Sequence, residues 1–261
     1  MPQVASLVVG ELGLSNWQPP EPLMYTRRAK DSFSADRLDA EYFSPRVQTL
    51  LSMLSRQKLT VGDVAPLRRQ HFVPKNHADF SYIEISDLGA NGEAGSSPVE
   101  AAEAPDRATW YVRKGDVITS TVRPVRRLSA IIKPDQDGFV CSSGFAVLRP
   151  TDVSPEVLLT YLRLPAIAQL MDLHTTASLY PAISVPDILN IPFVKPSAGT
   201  AKAIIKAVQD SHAARQESES LLARAKRAVE VAIEQDEAAG LRFLQDSAAP
   251  IKATVYRCNK K

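Results

Sequence analysis

The sequence lacks most of what common catalytic and membrane classes require. Two cysteines, Cys141 and Cys258, stand among 261 residues, and neither lies in a Cys-x-x-Cys or Cys/His spacing of the kind that holds zinc. Both read as free thiols. No run approaches the ~20 uninterrupted apolar residues that span a bilayer, and the N-terminus lacks the basic start and small-residue cleavage site of an export signal. The expected location is the cytoplasm, with no membrane partner. An excess of one charge is missing too: 31 Lys+Arg face 29 Asp+Glu, a net charge of +2, so a polyanion must be met by a local patch and not by the whole surface.

Catalytic signatures are absent in the same way. There is no G-x-S-x-G elbow, no G-x-x-x-x-G-K-[ST] phosphate loop, no G-x-G-x-x-G and no H-E-x-x-H. His71, His77, His174 and His212 are scattered, with no Cys or carboxylate spacing that completes a metal site. The Asn/Asp-Pro-Pro-Tyr/Phe tetrapeptide of adenine methyltransferases and the Asp with downstream Glu-x-Lys of many nucleases do not occur. Asp135 and Asp187, which follow prolines, read as turn or cap residues. These absences point to a chain that is not an enzyme and binds neither metal nor cofactor.

With 44% hydrophobic residues, the chain can bury the core of one large domain, or of one domain plus an extended element. Charge is segregated along it. Arg107, Arg113, Lys114, Arg123, Arg126, Arg127 and Lys133 share their segment with a single acid, Asp116. The stretch before it, residues 79–106, holds acids and no Lys or Arg.

Hydrophobic period divides the chain into four parts. Residues 1–35 are a leader that docks on something: a short apolar helix over 4–14, then Trp17 and the prolines Pro19, Pro20 and Pro22. Residues 36–198 form the main domain. Ser34 and Asp36 offer caps for a helix through 37–43, and Val47, Leu50, Leu51 and Leu54 mark an amphipathic helix after Pro45. Between 59 and 148, short β-rich runs at 80–85, 110–112, 116–122, 129–132 and 144–148 alternate with turns such as Asn91-Gly92 and Asp137-Gly138, giving a mostly antiparallel β-domain. Ser154 and Pro155 start a helix, and 166–173 reads as another.

Residues 199–238 form one long helix free of internal Pro and Gly. Steps of three and four pass through Ile204, Val208, Ser211, Arg215, Leu222, Ala225 and Val229, a heptad seam with polar residues at mid-length. At ~1.5 Å per residue the helix is about 60 Å long, so it is expected to project and find a partner. Residues 239–261 form a weakly patterned, frayed tail. The expected class is α+β: a β-rich domain with flanking short helices, then a projecting coiled-coil-like helix.

A binding surface is the chemistry that remains. In 115–127 a strand runs into a loop where Pro124 stiffens the backbone and Arg123, Arg126 and Arg127 can fork onto phosphates or onto guanine O6/N7. The same loop could instead be a charged hairpin tip that keeps the sheet solvated. A second candidate loop combines the phosphate-type bases Arg68, Arg69, His71 and Lys75 with Gln70 and Asn76, whose amides can read adenine. Arg113 and Lys114 suit phosphate contacts.

The order of segments resembles a known family. DAEYF at 39–43, LTVGDV at 59–64, YIEISDL at 82–88, VRKGDVITSTVRP at 112–124, CSSGFAVLRP at 141–150 and residues 183–192 precede the long helix, as in the DNA-specificity (S) subunit of type I restriction-modification systems. The resemblance covers roughly 36–237. It implies a target-recognition domain that reads one half of a split site on double-stranded DNA, and a spacer helix gripped by the methyltransferase (M) subunits. It also implies that S-adenosylmethionine (SAM) is bound by the partner methyltransferase, and that a restriction (R) subunit is an optional further partner. A full S subunit has two recognition domains and two long helices, and this chain has one of each. The resemblance therefore implies a half-subunit that pairs with itself, as a homodimer, or with a second half. The alternative from another class is a coiled-coil scaffold whose Arg loop binds an acidic protein.

Overall fold

The computed structural model of the chain describes all residues except 1, 13, 15–21, 36, 75–78, 90, 177–178 and 247–261. In chain order its elements are α1 (Pro2–Glu11), α2 (Ala29–Ala35), α3 (Pro45–Leu54), β1 (Leu59–Thr60), α4 (Val61–Val64), β2 (Asp79–Ile83), β3 (Ser97–Glu100), β4 (Ala108–Tyr111), β5 (Val117–Ser120), β6 (Ser129–Ile131), β7 (Val140–Ser142), β8 (Phe145–Leu148), α5 (Pro155–Leu162), α6 (Pro165–Asp172), β9 (Thr175–Thr176), β10 (Ala182–Ile183), α7 (Val185–Asn190), β11 (Pro192–Phe193), α8 (Ala198–Glu234) and α9 (Glu237–Asp246). The class is α+β, as expected.

Serine and proline set the helix starts. The hydroxyls of Ser44, Ser154 and Ser184 each accept the backbone N–H of the third residue onward, and a proline occupies the first turn of α3, α5 and α7. The helix expected over 37–43 does not form. Asp39 instead accepts from the Tyr42 N–H at 3.0 Å and from Arg37 at 2.7 Å, a local side-chain arrangement that competes with helical bonding. The helix of this region is α2, upstream.

Two sheets stack beneath a helical layer. The first has the antiparallel order β6-β5-β8, with Val117 opposite both Ile131 and Leu148. The second has the order β3-β2-β7-β4, in which only β2 and β7 are parallel. All of β5 and β8 is buried, and the period of two assigns alternate residues to different cores. Val117, Ala146 and Leu148 join the helical core of α3 and α5–α7, whereas Ile118, Phe145 and Val147 meet Ile83, Val112 and Cys141 of the second sheet. Each fully buried Leu, Ile or Phe contributes about 1.5–3 kcal/mol, so both faces of β5 are held firmly. Val8 of α1 and Leu12 just after it also lie in the helical core, and Glu11 accepts from the Ser197 N–H at 2.6 Å. The leader's first helix therefore docks on this fold itself; Trp17, Pro19 and Pro20 lie outside the described residues.

The chain forms two compact units, Met1–Val208 and Gln209–Lys261, and α8 contributes to both. Ile204 and Val208 are fully buried in the first unit's core. They are thus withdrawn from the seam expected along the long helix, and the first unit extends past residue 198. In the second unit α9 forms a helical hairpin with α8: Arg224 Nη2 donates to the Leu244 carbonyl at 3.1 Å, and a Cβ at Gly240 would come within 2.7 Å of the Ala228 carbonyl oxygen. Residues 239–246 are therefore helical, where a frayed tail was expected. No helix among the described residues is long and apolar enough to cross a membrane.

Candidate nucleic-acid interface

The turn into β5 is organised by a buried carboxylate. Asp116, 1% exposed, takes Arg68 Nε at 2.6 Å and Nη2 at 3.0 Å, and also accepts the Arg113 N–H at 2.9 Å. Gly115, at φ +82°, makes the turn. Arg68 is therefore a strut under the sheet. This corrects its expected role as a phosphate contact, because its guanidinium fork is occupied by the buried partner.

Beyond Arg68 the chain runs beside β4. The Phe72 N–H donates to the Thr109 carbonyl at 2.8 Å and the Tyr111 N–H to the Gln70 carbonyl at 2.9 Å, which turns the residue between them, His71, outward. Arg69, Gln70 and His71 are exposed, and the His71 ring meets Trp110 edge-on at 5.6 Å. Arg113 gathers at the same edge. Its Nη2 donates to Gln70 Oε1 at 3.3 Å, its Nη1 lies 3.6 Å from Asp137, and its guanidinium stands 5.9 Å from the Tyr111 ring centroid. The Lys114 N–H is bound by Asp137 at 2.8 Å while its side chain is exposed. Lys75 and Asn76 lie outside the described residues.

The arginine loop leaves the other end of β5. Arg123 and Arg127 adopt left-handed backbone conformations at φ +50° and +55°, on either side of a single turn of 3-10 helix over Pro124–Arg126. Pro124 is buried while Arg123, Arg126 and Arg127 are exposed. Such φ values are costly for residues with a Cβ, and the loop's own main-chain bonds hold them: Arg126 N–H to the Arg123 carbonyl at 2.9 Å, and Arg127 N–H to that of Pro124 at 2.8 Å. The four residues of β5 separate this loop from the Gln70/Arg113 group by about 13 Å along the strand. The expected contacts thus form two groups, one at each end of β5.

Sequence reasoning missed a further cation. Arg163, at the C-terminus of α5, donates from Nη1 to the Ser129 carbonyl at 3.0 Å. Burial, and then the nearby Arg127 charge, pull this guanidinium below its ordinary pKa. In sequence it is a lone arginine ending an apolar helix, and in the structure it is the C-cap of α5.

Among the described residues no group of three or more His, Cys, Asp or Glu side chains is placed to hold a metal. Burial, helped by Asp116, pushes the Cys141 thiol far above its ordinary pKa, and Cys258 lies outside the described residues. His174 Nδ1 lies 3.3 Å from Arg37 and 3.9 Å from Asp187. Burial and the Arg37 charge hold its pKa down, against the opposing pull of Asp187 and Asp39.

On the long helix, Ser211 is half-buried, Arg215 pairs with Glu219 at 2.8 Å, and Leu222, Ala225 and Val229 are exposed. Ile233, 80% exposed, extends this apolar row.

No family model matches the sequence, and neither does any curated protein. Solved structures do match. A chain of a type I R-M system, from a structural account of that system's assembly and conformational transition, has a TM-score of 0.51 at 25% identity over 70% of this chain and 48% of its own. The HsdS subunit from Thermoanaerobacter tengcongensis has a TM-score of 0.51 at 26% identity over 67% of this chain and 46% of its own. The chain spans about half the length of these structures, and its fold is similar to that of type I R-M HsdS subunits.

Proposed function

We propose that this chain is the DNA-specificity subunit of a type I-like restriction-modification, or related phage-defence, methyltransferase complex. It recognises one half of a bipartite site on double-stranded DNA and positions the methyltransferase subunits. The observation that carries this reading is the similarity to HsdS over two thirds of the chain, combined with an exposed arginine loop at the end of a fully buried strand.

Arg126 and Arg127 face base edges at one end of β5, braced by Arg123, and Gln70 does so at the other, while Arg69, Arg113 and Lys114 hold backbone phosphates. The chain has no catalytic role. Base flipping and methyl transfer belong to the M subunits, which bring SAM. The exposed row Leu222, Ala225, Val229 and Ile233 supports pairing through α8, with a second copy or a second half-subunit.

The test is co-purification with a methyltransferase encoded beside this chain, then methylation mapping of plasmid DNA from cells holding both. A single interrupted adenine motif is expected. Arg126→Ala should weaken binding to that motif by ~1–3 kcal/mol and relax one position. A stable complex that methylates nothing, or a motif unchanged in the triple Arg123, Arg126 and Arg127 alanine variant, would refute the reading and favour a protein scaffold.

A further inference from the structure

Two consecutive large apolar residues are exposed at one hairpin tip. β9 and β10 pair antiparallel, Thr175 opposite Ile183 and Thr176 opposite Ala182, and Leu179 and Tyr180 lie in the connection between them. Leu179 is 80% exposed and Tyr180 72%, so the fold gains almost no burial from either.

Residues 179–183 are nonetheless tied to the arginine loop. Ile183 N–H donates to the Thr121 carbonyl at 2.9 Å, Arg123 N–H to the Pro181 carbonyl at 2.8 Å, and Val122 bridges Ala182. Arg123 then reaches back: its Nη2 donates to the Leu179 carbonyl at 3.4 Å, and its guanidinium stands 5.6 Å from the Tyr180 ring centroid. Arg123, itself at φ +50°, thus holds the same hairpin with both its main chain and its side chain. An apolar tip is thereby joined to the arginine loop, next to the exposed Arg126 and Arg127.

Bare apolar side chains beside one guanidinium, on a tip tied to a loop that displays two more, complement a partner that is anionic outside and apolar within reach. Duplex DNA has that build, with phosphates on its rim and stacked bases inside. An acidic protein surface would satisfy the arginines but offers Leu179 and Tyr180 nothing comparable.

Building on the reading that the chain binds duplex DNA, we propose that Leu179 and Tyr180 form a wedge inserted at a base-pair step of the bound duplex. The Tyr180 ring stacks on an uncovered base, Leu179 fills the opened step, and Arg123 braces the tip against the loop that reads the neighbouring bases. The step opened in this way adds indirect readout, because flexible pyrimidine–purine steps unstack most readily.

The experiment selects a duplex from a random-sequence pool with the full chain and measures its Kd as a function of salt. The proteins compared are the wild type, Leu179→Ser, Tyr180→Ala and Tyr180→Phe, each verified as folded by its melting temperature. Tyr180→Ala is expected to raise Kd about ten-fold, the loss of one base–aromatic stack, without changing the slope of log K against log salt. Leu179→Ser should weaken binding in the same salt-independent way, and Tyr180→Phe should restore wild-type affinity because the stack needs only the ring.

Wild-type affinity in both Leu179→Ser and Tyr180→Ala overturns the wedge and leaves DNA binding standing. So does a loss that appears only in co-purification with the methyltransferase, which would make the tip a protein contact. If the wild-type chain selects no duplex at all, the wedge and the underlying reading fall together.

Discussion

Replacing Arg68 by Met distinguishes a strut from a DNA contact. The Arg68–Asp116 pair is 2.6 Å apart, an attraction of about 6 kcal/mol at an effective dielectric of ~20, which the desolvation of two ions offsets in large part. The variant measures something else: the cost of leaving a 2%-exposed carboxylate side chain with only the Arg113 N–H as partner. Breaking a buried pair from one side costs about 3–5 kcal/mol. Because the Arg68 side chain is 21% exposed, the site admits some water and the lower end, ~3 kcal/mol, applies. For a unit of this size each kcal/mol moves the melting temperature by about 2–4 °C, so Arg68→Met should lower it by roughly 6–12 °C. Combining it with Asp116→Leu removes both ions, and the double variant should recover ~2 kcal/mol relative to the sum of the two singles. Circular-dichroism melts of the four proteins give the cycle, and duplex binding is measured well below every midpoint. If Arg68→Met melts within about 2 °C of wild type yet loses salt-dependent binding, the strut argument is wrong and Arg68 faces phosphate.

Other outcomes follow from single sites. Gly240→Ala would ordinarily raise helix propensity, but its Cβ would meet the Ala228 carbonyl at 2.7 Å and the Ala232 methyl at 2.8 Å; it should destabilise the α8–α9 hairpin by ~1 kcal/mol or more, read as faster amide exchange across α9. The His174 pKa is held below its ordinary 6.5 in the folded state, so the unfolded chain takes up the proton first as pH falls. That contribution to stability is complete above pH 6.5 and is lost as pH drops through the folded-state value, and melts from pH 5 to 8 should show this slope in the wild type and not in His174→Gln. Cys141, buried with a raised pKa, should resist a thiol reagent until the chain is unfolded in urea.

Much of the fold is legible in the sequence because local chemistry decides it. The Ser–Pro starts of α3 and α5, the proline-free run of α8 and the apolar runs that became β5 and β8 each state their conformation within a few residues. β3 is not legible: SPVE carries a proline and an acid, and it is a strand only because β2 offers it an edge. β7 is three residues long, too short for a period of two to show. The candidate site divides the same way. Arginines in the 123–127 loop can be seen as a cluster, but that Arg68 spends its charge on Asp116, forty-eight residues away, is a tertiary fact. Ile204 and Val208 fit a heptad seam and a domain core equally well, since both demand apolar residues at that spacing. Nothing in the local sequence marks Leu179 and Tyr180; it is the hairpin that carries them to Arg123.

The arginine loop keeps its shape without help from the side chains it displays at 126 and 127. The bonds that close its turn are main chain to main chain, and its anchor is the buried Pro124. Position 126 can therefore be exchanged for Gln, Asn, Glu or Lys without rebuilding the scaffold, and position 127, being left-handed, most easily for Asn or Gly. A loop of this kind separates what is displayed from what supports it. On the proposed reading, changes of target need only one or two codons, so new specificities lie a short mutational walk from the old ones, while the strand beneath stays as it is.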